Sequence, residues 1–137
     1  MVKTVRAIPI PDTTSASMAF TRSLNKLHEK NKWVHVFPES ANWPYFQPIR
    51  PFKPGAFSYS HSFKIPIVPM AFSYRQPNWL YKLFGKKNPL ITLRIGEPIM
   101  PDFSLDRKSA INKLLKESHA AMCQLAGITN NPYPAEF

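Results

Sequence analysis

Proline punctuates this chain. There are 15 prolines among 137 residues, against only 4 glycines, and their positions limit where helix and strand can run. Val5–Ile10 alternates as a strand, is interrupted at Pro9 and stops at Pro11 and Asp12. The next segment is helical. Thr14 or Ser15 offers a hydroxyl to the free N–H groups of the first turn, and Ala16, Phe20, Leu24 and Leu27 recur at helical spacing. Lys26, Glu29, Lys30 and Lys32 are polar, and the lysines suit the negative end of the helix. Trp33–Phe37 is short and β-rich, a predicted strand that Pro38 ends.

Glu39–Pro54 reads as a long irregular loop, and loops of this length in compact domains carry function or are disordered. Trp43, Tyr45, Phe46 and Phe52 argue for order. Gly55–Phe63 is a short predicted helix. Ile65–Phe72 is nearly all apolar, as in a buried strand, although its two prolines require a bend or a strand end. Gln76–Pro89 breaks the pattern. Leu90–Ile95 alternates as a strand up to Gly96. Asp106–Ala126 is the clearest helix, with Ile111, Leu114, Leu115, Met122 and Leu125 on one face and Gly127 where a left-handed cap is wanted. Asn130–Phe137 is expected to be a surface extension. Strands alternating with helices predict an α/β fold, a largely parallel or mixed sheet flanked by helices, in one domain spanning 1–137. In such sheets, ligands sit beyond the carboxyl ends of strands, where Phe37-Pro38-Glu39 falls.

Charge narrows the partners. Eighteen Lys and Arg against eight Asp and Glu give +10, which predicts an anionic partner: a phosphorylated substrate, an anionic membrane surface or nucleic acid. Four glycines and no Walker or dinucleotide motif exclude a glycine-loop nucleotide site. The single cysteine, Cys123, cannot form an internal disulfide, fits a reducing compartment and reads as a packing residue on the last helix. No Cys/His pattern suggests zinc or another metal site. Neither a secretory signal nor an apolar run near the ~18 residues of a membrane span is present. Trp79–Lys87 mixes bulky apolar residues with cations, and Trp43, Tyr45 and Phe46 offer a second aromatic anchor. Both suit a membrane interface, or aromatic packing on the core. Ser60-His61-Ser62 lacks a nucleophile elbow and reads as a surface turn.

Three blocks carry a family resemblance: Phe37-Pro38-Glu39-Ser40, then Pro51-Phe52-Lys53-Pro54-Gly55-Ala56-Phe57, then Ile67-Val68-Pro69. In that order they resemble the glycerolipid acyltransferases, and more narrowly the bacterial 1-acyl-glycerol-3-phosphate (lysophosphatidic acid) acyltransferases. The resemblance implies acyl transfer from a thioester of coenzyme A or acyl carrier protein to a lysophospholipid hydroxyl, at the cytoplasmic membrane face. It implies no bound cofactor or metal. A general-base histidine, oriented by aspartate in a His-x-x-x-x-Asp block, carries that family's chemistry. Here His28, His35, His61 and His119 are followed, five positions on, by Trp33, Ser40, Pro66 and Gln124. The chain is therefore expected to be an N-terminally truncated acyltransferase domain, inactive alone, with no catalytic residue of its own.

The remaining departures shift the expected acceptor site. Ala7–Thr13 falls where the family's second block lies, without its arginine. Ser40 stands where the family has glycine, and Ala41-Asn42 where it has Thr-Arg. Glu39 and Ser40, with Arg50 and Lys53 substituting for the lost arginines, are the expected acceptor-binding residues. The competing reading is a non-catalytic basic module that binds anionic membrane or nucleic acid. Nucleic acid ranks low and is not an expected partner, because no zinc finger or RRM-type signature is present.

Overall fold

The computed structural model describes residues 14–40, 45–85 and 88–133. The chain divides into two compact units, residues 1–36 and residues 37–137.

In the first unit, α1 spans Thr14–Glu29, with Leu24 buried and Phe20 and Leu27 half-buried. The helix already includes Thr14 and Ser15, so its cap lies earlier, outside the described residues, as does the predicted Val5–Ile10 strand. It ends in a Schellman motif. Asn31, at φ 50, donates to His28 O (2.9 Å), and Lys32 N donates to Leu27 O (2.9 Å). The strand predicted over Trp33–Phe37 is not formed: the segment pairs with no strand among the described residues. A β-rich pattern becomes a strand only where a neighbour completes its hydrogen bonds.

In the second unit, α2 is Gly55–Phe63, β1 Met70–Arg75, α3 Trp79–Leu83, β2 Leu90–Ile95 and α4 Arg107–Ala126. The bounds of α2 and β2 match the sequence reading. The parallel sheet does not: β1 and β2 form a two-stranded antiparallel sheet, with Phe72 opposite Leu93 and Tyr74 opposite Ile91. A parallel return must travel back along the strand, about 20 Å for six residues. The five residues of α3 rise only about 7–8 Å, so that helix does not by itself carry the chain back, and the strands pair antiparallel. The fold is therefore mixed α and β, without a parallel ladder among the described residues.

β1 also starts later than expected. Pro66 and Pro69 have no N–H to give a ladder. Only Ile67 between them pairs, in an isolated bridge with Ile99 (N···O 2.9 and 2.8 Å). Beyond β2, Gly96 donates to Pro69 O at 2.9 Å. A Cβ on Gly96 would sit 3.0 Å from Leu125 Cδ1 and 3.1 Å from Pro69 Cγ, so a side chain at this crossing of strand end and helix would require Leu125 and Pro69 to give by a few tenths of an ångström.

The core of this unit gathers Ile49, Phe52, Phe57, Leu114 and Leu115. α4 supplies the predicted stripe and is capped at both ends. Asp106 Oδ2 accepts from Ser109 N (3.1 Å), and Gly127, at φ 74, donates to Gln124 O (3.0 Å). Ser118 and His119 are buried beside the stripe. Ser60 is buried too, its hydroxyl donating to Ile65 O at 2.6 Å, so it closes α2 and is not part of a surface turn. One face of the hairpin, Phe72 with Ile91, Leu93 and Ile95, stays exposed. The tail is not a loose extension up to residue 133. The Asn131 side-chain amide donates to Ile49 O (2.6 Å) and accepts from Ile49 N (3.1 Å).

Ahead of α4, Asp102 organises the turn. Its carboxylate accepts from Lys113 Nζ (2.7 Å) and from Ser104 Oγ (2.6 Å) and N (3.1 Å). These bonds, Lys113's first, hold its pKa down from 3.8 to about 2. A depressed carboxylate stabilises the fold above its unfolded pKa and loses that contribution as pH falls through the folded one. Asp102→Asn should therefore lower the urea midpoint slightly at neutral pH. The gap to wild type should close between about pH 4 and pH 2, read from paired denaturation curves.

Candidate functional site

Phe37–Ser40 forms a tight turn, with Ser40 N donating to Phe37 O at 3.3 Å. Ser40 adopts φ 55, so the left-handed geometry that favours glycine persists here with serine, at about 1 kcal/mol or more. The turn aims its two carbonyl-side groups at the following loop. Glu39 Oε2 accepts from the backbone N–H of Arg50 (3.0 Å), and Pro38 O accepts from Lys53 N (2.8 Å). Residues 45–53 are thereby folded back on the turn as a closed loop. Glu39 thus lies against the backbone of Arg50, and Pro38 against that of Lys53, with Ser40 next in the chain; the side chains of Arg50 and Lys53 take no part in these two bonds.

Their postures differ. Glu39 is half-buried and bonds the loop backbone. Arg50 is half-buried, and its guanidinium lies over the Phe46 ring, 5.0 Å from the centroid. Lys53 and Ser40 are exposed. Behind them, Phe52 plugs into the core, stacked on Phe57 (centroids 5.9 Å) and edge-on to His119 (4.9 Å). Cys123 sits behind the site, 3.8 Å from His119 Nδ1. Burial first, then the negative charge of Glu39, pushes its thiol pKa up, so it is a poor nucleophile at neutral pH.

The tail completes the loop from the other side. Asn131 clamps Ile49, and the Tyr133 ring lies 6.4 Å from Phe46. Tyr45 stands edge-on to Tyr74 (5.5 Å), and Gln47 Nε2 donates to Tyr74 O (3.0 Å). Sequence reasoning missed Asn131, because a carboxamide bonding backbone 82 residues away leaves no local pattern.

Next to the loop, beyond Lys53, an open groove of about 680 Å³ runs between the start of α2 and the start of α4. Gly55, Ser58, Arg107, Lys108 and Asn112 are among its lining residues. Arg107 and Lys108 also escaped the sequence reading. The signal available was their place in the first turn of a helix, where cations oppose the macrodipole. Elsewhere, Trp79, Leu83 and Phe84 are 72%, 74% and 80% exposed. Among the described residues, no three His, Cys, Asp or Glu side chains gather as metal ligands, and no helix is long and apolar enough to cross a membrane.

The turn and loop therefore carry a braced guanidinium, Arg50, and an exposed ammonium, Lys53, in the same loop as an ordered carboxylate, charges of the sign that an anionic group would meet. A protein-family model described as Acyltransferase matches residues 1–73, more than half of the chain, and takes in the whole 37–57 site. No curated protein and no solved structure matches.

Proposed function

The chain belongs to the acyltransferase family, and from that premise we propose that it forms the acceptor-binding part of a phospholipid-synthesis acyltransferase. The acyl group would pass from a thioester, carried by coenzyme A or acyl carrier protein, to the hydroxyl of a lysophospholipid such as 1-acylglycerol-3-phosphate. One observation carries the reading: closure of the Phe37–Ser40 turn on its loop through Glu39–Arg50 and Pro38–Lys53. In this reading Lys53, exposed, meets the acceptor phosphate. Arg50, braced on Phe46, shapes the wall behind it, Glu39 holds the loop, and Ser40 gives the turn a small residue where substrate approaches. No histidine here is followed five residues on by aspartate, so this chain alone binds acceptor without turning it over.

The same reading puts the protein at the cytoplasmic face of an anionic membrane, held peripherally. A net charge of +10 and the exposure of Trp79, Leu83 and Phe84 support that placement, since aromatics settle at headgroup depth and cations meet anionic lipid. They equally support a membrane-binding module without catalysis.

Vesicles of phosphatidylcholine, with and without 1-acylglycerol-3-phosphate, separate the two. The purified chain should co-sediment preferentially with the loaded vesicles, and Lys53→Gln should reduce that preference about fivefold. Equal binding to both vesicles would end the acceptor reading. Turnover of an acyl thioester well above blank would overturn the inactivity.

A further inference from the structure

We infer that the groove between the starts of α2 and α4 is a second anion site, for a phosphate- or diphosphate-bearing ligand. Two cations, Arg107 and Lys108, line it, and no carboxylate does. The nearest acids in sequence are committed elsewhere. Asp106 accepts from Ser109 N, and Asp102 accepts from Lys113 and Ser104. Arg107 is held in place: its Nη2 donates to Ser58 Oγ (3.0 Å) and Ser62 Oγ (3.4 Å), both on α2. A guanidinium oriented by neutral hydroxyls keeps its full charge and loses less entropy when an anion arrives.

The cost of this arrangement points the same way. Arg107 and Lys108 occupy the first turn of α4, which has no acid, and cations there work against the helix dipole. α2 opens on the same groove with no side-chain cap and no acid in its first turn. A Cβ on Gly55 would meet nothing within 4 Å, so the groove stays open against that backbone. At α4 the Asp106 cap offsets part of this cost, and an anion bound between Arg107 and Lys108 would offset the rest. The groove's size, about 680 Å³, suits a ligand larger than a lone phosphate. Pro54 and Gly55, on its wall, directly follow Lys53, which is bonded to the Phe37–Ser40 turn. The anion thus lies beside the loop, as a donor's phosphates or an acceptor's headgroup would. The inference rests on the groove's own charge and stands apart from the role given to Glu39.

Calorimetric titration of the full chain with pyrophosphate, with coenzyme A and with 1-acylglycerol-3-phosphate in phosphatidylcholine vesicles tests it. The wild type should bind at least one probe saturably. Arg107→Gln/Lys108→Gln should weaken that binding about tenfold, and Lys108→Gln alone, which leaves the Arg107–serine contacts intact, about threefold. Lys64→Gln/Arg75→Gln, at the end of α2 and the end of β1, removes the same charge from residues that do not line the groove and should change little. Tight binding of coenzyme A identifies the donor as the source of the phosphate, and binding of the lysolipid alone identifies the acceptor. Absence of saturable binding to all three probes overturns the site. So does unchanged affinity in Lys108→Gln, or an equal loss in the Lys64→Gln/Arg75→Gln control. If acceptor binding survives the groove variants but fails on Lys53→Gln, the loop binds acceptor and the groove does not.

Discussion

Phe52→Ala will cost about 3–5 kcal/mol, a large part of the roughly 5–15 kcal/mol that holds a domain together. Phe52 is 1% exposed although it lies in the irregular segment ahead of α2. Its ring stacks on Phe57 and meets His119 edge-on, so it joins the loop to α2 and α4 at once. Removing it leaves a cavity that helix backbones cannot collapse to fill. One effect works in the other direction. His119 Nε2 is buried without a hydrogen-bond partner among the described residues, and water entering the cavity could reach it, which favours the lower end of the range. Phe46→Ala is the control. That ring is half-buried over Arg50, and its loss should cost about 1 kcal/mol. Urea unfolding followed by near-ultraviolet circular dichroism reads both. Equal midpoints for the two variants would mean that Phe52 is not the plug the structure makes it.

Phe52 also marks where sequence reading stops. The bounds of α2, β2 and α4 are legible because each is set locally: Asp106 and Gly127 cap α4 through their own chemistry, and Gly96 closes β2. The direction of β2 is not local. An alternating pattern looks the same in either orientation, and the pairing across the sheet decides between them. The start of β1 was misplaced for a similar reason, since apolar Ile65–Phe72 fits a strand while Pro66 and Pro69 forbid its ladder. At the site, the Phe-Pro-Glu motif singles out Glu39, and Arg50 and Lys53 stand out as the cations of the same loop where the family's arginines are missing. That Arg50 takes part through its backbone N–H, and that Asn131 clamps the neighbouring residue, needed coordinates. Backbone groups are the same in every sequence.

The Glu39 bond is also where the acceptor reading is most exposed to test. Glu39→Ala leaves the Arg50 N–H without its acceptor in a half-buried position. A hydrogen bond to a charged group contributes about 1.5–3 kcal/mol, so the loop should open locally while α4 stays folded. Hydrogen exchange at the Arg50 amide should speed up by about tenfold or more, and affinity for 1-acylglycerol-3-phosphate should fall by a similar factor. Glu39→Gln separates shape from charge, because its carbonyl can still accept from Arg50 N. If that variant restores both slow exchange and binding, Glu39 acts only by holding the loop, and Lys53 with its neighbours does the recognising. If it restores slow exchange without binding, the carboxylate itself orders the acceptor or the cations around it. Unchanged exchange in Glu39→Ala would show that the bond does not close the loop in solution. The acceptor wall would then lose the contact between its acid and the Arg50 backbone.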